Sequence, residues 1–86
     1  MLNSDYKMVA DILTDKLDVT IEAIVADPDD ENAAYVLTYD PAKQMRAWAT
    51  HWVNLDGLVA YGNYDMTQNE GLQDLMTRAG YPRRAA

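Results

Sequence analysis

Apolar residues recur at helical spacing near both ends of the chain and gather into β-branched runs between them. Tyr6, Val9, Ala10, Leu13 and Leu17 fall on one helical stripe, with Lys7, Asp11, Thr14, Asp15 and Asp18 opposite. Ser4 is a good N-cap, so the pattern predicts a helix over 5–17. Residues 19–26, Val-Thr-Ile-Glu-Ala-Ile-Val-Ala, are rich in β-branched side chains and partly alternate, which predicts a strand. The run 27–32, Asp-Pro-Asp-Asp-Glu-Asn, is a loop by composition. Residues 34–39 predict a second strand, antiparallel to the first.

Residues 41–53 allow two readings. Asp40-Pro41 resembles an N-cap followed by proline at the first helical position. Met45, Trp48, Ala49 and Trp52 then make an apolar helical stripe, and the first half is made of good helix formers. Alternatively, 44–53 is a strand that turns through Asn54-Leu55-Asp56-Gly57 into 58–61. The helix is the preferred expectation. A strand over 58–64 follows in either version. Thr67 and Glu70 have the spacing of a capping box. Leu72, Leu75, Met76 and Ala79 follow at helix spacing, Gly80 suits the position after the last turn, and Pro82 prevents continuation. A helix over 68–79 is the expectation.

The order of elements points to an α+β fold: a single small domain over 1–80 with helices packed on a three- to four-stranded antiparallel sheet, followed by a short basic tail over 81–86. Eighty-six residues suffice for one modest core. The absence of cysteine excludes disulfides and thiolate metal sites and suits a reducing cytoplasm. The N-terminus lacks the basic start and apolar run of a signal peptide, and no apolar run is long enough for a membrane helix. A cytoplasmic protein is therefore expected, in the host bacterial cytoplasm if the chain is phage-encoded.

Charge changes this picture most. Residues 1–40 hold ten carboxylates and two lysines, whereas residues 41–86 hold four carboxylates and five Lys or Arg. Nearly all of the net charge of −7 thus sits in the first half. Such a surface repels nucleic-acid phosphates and attracts a basic partner. On a helix, Asp11, Asp15 and Asp18 would lie roughly 6 Å and 4.5 Å apart along the axis. That spacing approaches the charge density of a DNA strand, one phosphate per ~3.4 Å. Glu22 and the Asp29, Asp30, Glu31 run would extend the row, with Tyr35 and Tyr39 as aromatic anchors near it. The plainer reading is a solvated face that keeps the protein soluble, but solubility does not require one-sided charge. The chain also has six Tyr and two Trp but no Phe, a choice that suits half-buried or interface positions as well as chance would.

Catalytic patterns are weak. Ser4 and His51 are each the only residue of their type, and nothing local brings them together. On a 41–53 helix His51 would lie on the polar, solvated face. The four glycines match no phosphate-binding fingerprint. An EF-hand loop begun at Asp27 would need Gly where Asn32 sits and Glu where Thr38 sits. No metal, cofactor or catalytic residue is therefore expected.

The stretch from Asp30-Glu31-Asn32 through Leu37-Thr38-Tyr39-Asp40 to Trp48-Ala49 is loosely similar to part of the phage uracil-DNA glycosylase inhibitors. Chain length, acidity and an N-terminal helix are similar too. The similarity covers a minor part of the chain, contains a gap, and leaves out the C-terminal helix, so no residue roles are carried over. It implies a DNA-mimicking inhibitor and the hairpin version of 44–61.

Three functional classes follow. The first is a non-enzymatic acidic inhibitor of the anti-CRISPR-like, anti-defence or DNA-mimic type. It would bind a basic nuclease, repair enzyme or CRISPR effector through Asp11, Asp15, Asp18, Glu22, Asp29, Asp30, Glu31, Tyr35 and Tyr39, without contacting nucleic acid or membrane itself. The second is an accessory interaction module, monomeric or homodimeric through Trp48 and Trp52. The third, a minimal carboxylate enzyme, has the least in its favour.

Overall fold

The structure is a computed structural model, and it describes residues 2–80. The elements run α1 (Asn3–Lys16), β1 (Thr20–Ala26), β2 (Ala33–Tyr39), β3 (Trp48–Asn54), β4 (Val59–Met66) and α2 (Gln68–Arg78). The four strands form one antiparallel sheet in sequence order, β1-β2-β3-β4. Two helices and this sheet make the expected α+β domain. The basic tail expected over 81–86 lies outside the described residues.

The helices cover opposite faces of the sheet. In an antiparallel ladder, paired residues share a face and neighbours along a strand alternate. Ala34 pairs with Val53, Val36 with His51 and Thr38 with Ala49 on one face. There Val9 and Leu13 of α1 pack on Ala34, Val36 and Val53, all fully buried. Tyr35–Trp52, Leu37–Thr50 and Tyr39–Trp48 occupy the other face, under α2. Covering both faces buries consecutive residues of the central strands, and the hydrophobic alternation of a one-sided sheet is lost.

That loss explains why 41–53 misleads as a helix. Residues 40–47 form a loop, and Trp48–Asn54 is the third strand. Arg46 adopts a left-handed φ of 50°, which breaks any helix there. The hairpin turns through Asn54–Leu58, with Gly57 at φ 97° and the Asn54 side chain accepting from the backbone N–H of Asp56 and Leu58. His51, expected on a solvated face, is instead 1% exposed.

Two smaller corrections concern the helices. α1 starts at Asn3, with Leu2 rather than Ser4 at the N-cap, and the Leu2 N–H donates to the Asp5 carboxylate at 2.9 Å. It ends at Lys16, so Asp18 lies beyond the helix. α2 has the predicted capping box: Glu70 N–H donates to Thr67 Oγ1, and Thr67 N–H to the Glu70 carboxylate. Gly80 takes the left-handed conformation just after it (φ 82°). The buried stripe, however, is Gly71, Leu75 and Ala79, whereas Leu72 and Met76 are exposed. Gly71 lies at the closest approach. A Cβ on it would meet Leu37 Cδ1 at 2.7 Å and Trp48 Cβ at 3.3 Å, so any side chain there would make Leu37 shift and crowd Trp48.

β4 carries two extra residues relative to β3. Between the pairs Trp52–Ala60 and Thr50–Asn63, and again between Thr50–Asn63 and Trp48–Met66, three steps on β4 oppose two on β3. Each bulge holds a non-glycine residue in the left-handed region, Tyr61 (φ 53°) and Asp65 (φ 59°). One extra residue reverses which face the following side chains occupy. The first bulge therefore puts Asn63 under α2, where it donates to Asp74 at 3.0 Å, and puts Tyr64 against His51 on the α1 face.

Candidate functional site

The carboxylates of the first half are arranged by two short-range devices. In the β1–β2 loop, Asp27 Oδ1 accepts from Asp29 N–H at 2.8 Å and Asp30 Oδ1 from Asn32 N–H at 2.9 Å. These side-chain turns fold a run of four acids into a tight connection. Asp29 and Glu31 are exposed beside it. The N-terminus of α1 comes to the same end of the sheet, where Leu2, Asp5, Glu31 and Asn32 line one shallow depression. The β3–β4 turn joins them through the Leu55 N–H, which donates to the Asn32 carbonyl at 2.9 Å. Asp5 and Asp56 thus belong to this acidic end. Sequence reasoning passed over both, since only chain reversal brings them to the loop.

The remaining predicted residues are dispersed. Asp11 and Asp15 are exposed on α1, Asp18 is exposed in the following bend, and Glu22 is exposed in the bulge of edge strand β1. Asp11 is paired with Lys7 at 2.8 Å, which raises the Lys7 pKa. Tyr35 and Tyr39 are half-buried on the opposite, α2 face. Tyr35 sits near the acidic loop, with the Arg78 guanidinium 5.1 Å from its ring centroid. Burial and then the charge of Asp27 push its hydroxyl pKa up. Tyr39 lies at the far end of β2 and packs tilted against the Trp48 ring with centroids 4.6 Å apart, so it takes no part in the acidic end.

The second half differs in how its charges are used. Lys43 pairs with Asp65, whose carboxyl pKa is thereby lowered. Arg46 pairs with Glu70 at 2.9 Å and also donates to the Asp65 carbonyl. Glu70 is held below its usual range first by its bond to the Thr67 backbone and only later by Arg46. Arg78 donates to Thr50 Oγ1 at 3.0 Å, and Thr50 donates to Asp74. Lys43 and Arg46 are thus ion-paired within the domain, and Arg78 is hydrogen-bonded to a hydroxyl. By contrast, Lys7–Asp11 is the one ion pair among the described residues of the acidic half. Among the described residues, the exposed carboxylates without an ion-pair partner therefore lie mostly in the first half of the chain.

A second feature lies at the opposite end of the sheet. α1 stops at Lys16 and leaves part of its own face uncovered. A cavity of about 140 Å³ opens there, lined among others by Leu17, Thr38, Trp48, Ala49, His51 and Tyr64. His51 Nε2 is 3.3 Å from Thr38 Oγ1, and burial, followed by the positive charge of Arg78, lowers its pKa.

Among the described residues, no cluster of three or more His, Cys, Asp or Glu could hold a metal ion. No helix among them is long and apolar enough to cross a membrane. No family model, curated protein or solved structure matches the chain.

Proposed function

We propose that this protein is a non-enzymatic acidic inhibitor that binds a basic nucleic-acid-handling protein and occupies its nucleic-acid site. The observation that carries the reading is the contrast in charge pairing. Lys43, Arg46 and Arg78 are engaged within the domain, while Asp15, Asp18, Glu22, Asp29 and Glu31 are exposed without an ion-pair partner among the described residues. Exposed carboxylates without partners raise the association rate with a basic cleft and repel acidic competitors. The partner class is a nuclease, repair enzyme or CRISPR effector. The host bacterial cytoplasm is the setting in which such a target would be met.

The test is a tagged pull-down from bacterial lysate, eluted with a salt gradient, followed by competition on the purified partner. A basic protein released at moderate salt, displaced by DNA, and lost when Asp29, Asp30 and Glu31 are changed to Asn, Asn and Gln supports the reading. Equal capture by that variant refutes it.

A self-associating module is the second reading, and exposed Leu72 and Met76 on α2 favour it. Trp48 and Trp52 are partly buried and also have partners within the domain. The Trp48 ring packs tilted against Tyr39, and Trp52 Nε1 donates to Asp27 at 2.8 Å. Such an interface would persist in high salt, where the acidic one weakens.

A further inference from the structure

The α2 face of the sheet is not covered evenly. α2 runs toward the acidic loop, where Gly80 lies close to Pro28. Arg78, in its last turn, sits over the Tyr35 ring at 5.1 Å from the centroid. The neighbouring rings on β3 and β4 are left partly open. Trp52 is half-buried, and Tyr61 is 72% exposed. Their ring centroids are 5.8 Å apart and their planes 66° apart, so the two rings form the walls of a corner.

A backbone irregularity makes this corner. Ala60 pairs with Trp52, so regular alternation would put Tyr61 on the other face of the sheet. The left-handed Tyr61 (φ 53°) in the bulge brings its ring back to Trp52 instead. Strained residues of this kind collect at ligand clamps.

The corner is tied to the acidic loop. Asp27 Oδ2 accepts from Trp52 Nε1 at 2.8 Å, and Asp27 Oδ1 accepts from the Asp29 N–H. Both donors are neutral, and among the described residues neither Asp27 nor the exposed Asp29 has an ion-pair partner. Tyr35 is the cross-strand neighbour of Trp52. Its hydroxyl pKa is raised by burial and then by Asp27, against Arg78, with Asp29 and Tyr61 adding to the rise. Both carboxylates and the Tyr61 hydroxyl are therefore near enough to act on one point. Arg78 is the cation facing that point, and the two carboxylates outnumber it.

Aromatic faces beside carboxylates attract cations, because the ring quadrupole and the full negative charge act together. A guanidinium suits the corner better than an ammonium. It is planar, stacks on a ring and still presents N–H donors to a carboxylate. The protein already uses this mode once, with Arg78 over Tyr35. An apolar occupant would instead desolvate Asp27 without supplying a counter-charge.

We propose that the Trp52–Tyr61 corner docks an arginine side chain of the basic partner, which stacks on the rings and donates to the Asp27 carboxylate. The inference rests on the reading of a basic partner and adds where on the surface its anchoring residue sits.

The experiment follows the two indole N–H resonances of the full chain at low salt during titration with acetyl-Gly-Arg-Gly amide. Trp52→Phe assigns the two signals. The controls are the matching lysine peptide and the citrulline peptide, which keeps the shape of arginine without its charge. The arginine peptide should shift Trp52 Nε1–H and leave Trp48 still, and the citrulline peptide should shift neither. The lysine peptide should bind more weakly. Tyr61→Asn removes the ring but keeps a residue suited to the left-handed backbone, and it should weaken the arginine peptide by about two- to fivefold. Tyr61→Phe should retain binding. An unmoved Trp52 indole, lysine binding as tightly as arginine, or unchanged affinity in Tyr61→Asn overturns the proposal. If Arg83→Gln with Arg84→Gln moves the Trp52 signal with no peptide present, the corner serves the chain's own terminus, which also overturns it. The acidic-inhibitor reading fails separately. A partner captured equally by Tyr61→Asn but lost by the Asp29, Asp30 and Glu31 variant removes the arginine corner and leaves that reading standing.

Discussion

Acidification should weaken this domain through one residue before its carboxylates matter. His51 is 1% exposed, and burial with the nearby Arg78 charge lowers its pKa below the ordinary 6.5. Above about pH 6.5 the imidazole is neutral in both folded and unfolded chains and contributes no pH dependence. Below it, the unfolded chain takes up a proton that the folded chain refuses, so unfolding gains. The slope approaches the one-proton limit of about 1.4 kcal/mol per pH unit until the folded pKa is reached. At about pH 5.5 the upper bound on the loss is roughly 1.4 kcal/mol, a visible part of the ~5–15 kcal/mol that holds a small domain together. Asp65 and Glu70 also have lowered pKa values, but starting from 3.8 and 4.5, so their stabilisation is lost in a more acidic window. The assay is urea unfolding followed by tryptophan fluorescence from about pH 7.5 to 5, on the native protein and on His51→Gln. The wild-type stability should fall relative to the variant across this range. Parallel curves would refute the buried, neutral histidine.

Other outcomes follow from the same packing. Leu13→Ala removes a fully buried side chain from the α1 interface and should cost about 2–5 kcal/mol in urea unfolding. Gly71→Ala gains about 1 kcal/mol in helix propensity, but its methyl meets Leu37 and Trp48, where overpacking costs about 1–3 kcal/mol. The melting temperature should therefore fall, and a rise would show that the close approach of α2 is not needed. Thr67→Ala removes the α2 cap and should cost about 1 kcal/mol, read by the same unfolding assay. Asp29→Asn with Glu31→Gln should leave the melting temperature nearly unchanged while partner capture falls and its salt dependence flattens.

Local signals decided much of the fold. The Thr67–Glu70 box, the final Gly80, the acidic turn and the β-branched runs act within a few residues, and the chain carries them in plain view. Charge asymmetry was equally legible, because composition by half does not depend on folding. What the sequence could not decide was which stripe of a helix faces inward and which period governs 41–53. Gly71 carries no hydrophobicity, yet it lies on the buried stripe of α2 while Leu72 and Met76 face solvent. Covering both faces of β3 erased the alternation that marks a half-buried strand, and it moved His51 from an expected surface into the core. The cavity exists only because α1 ends before the sheet does, and because a bulge in β4 brings Tyr64 over to His51. Helix length against strand length, and the register of paired strands, are properties of the assembled layers, which no local window of residues contains.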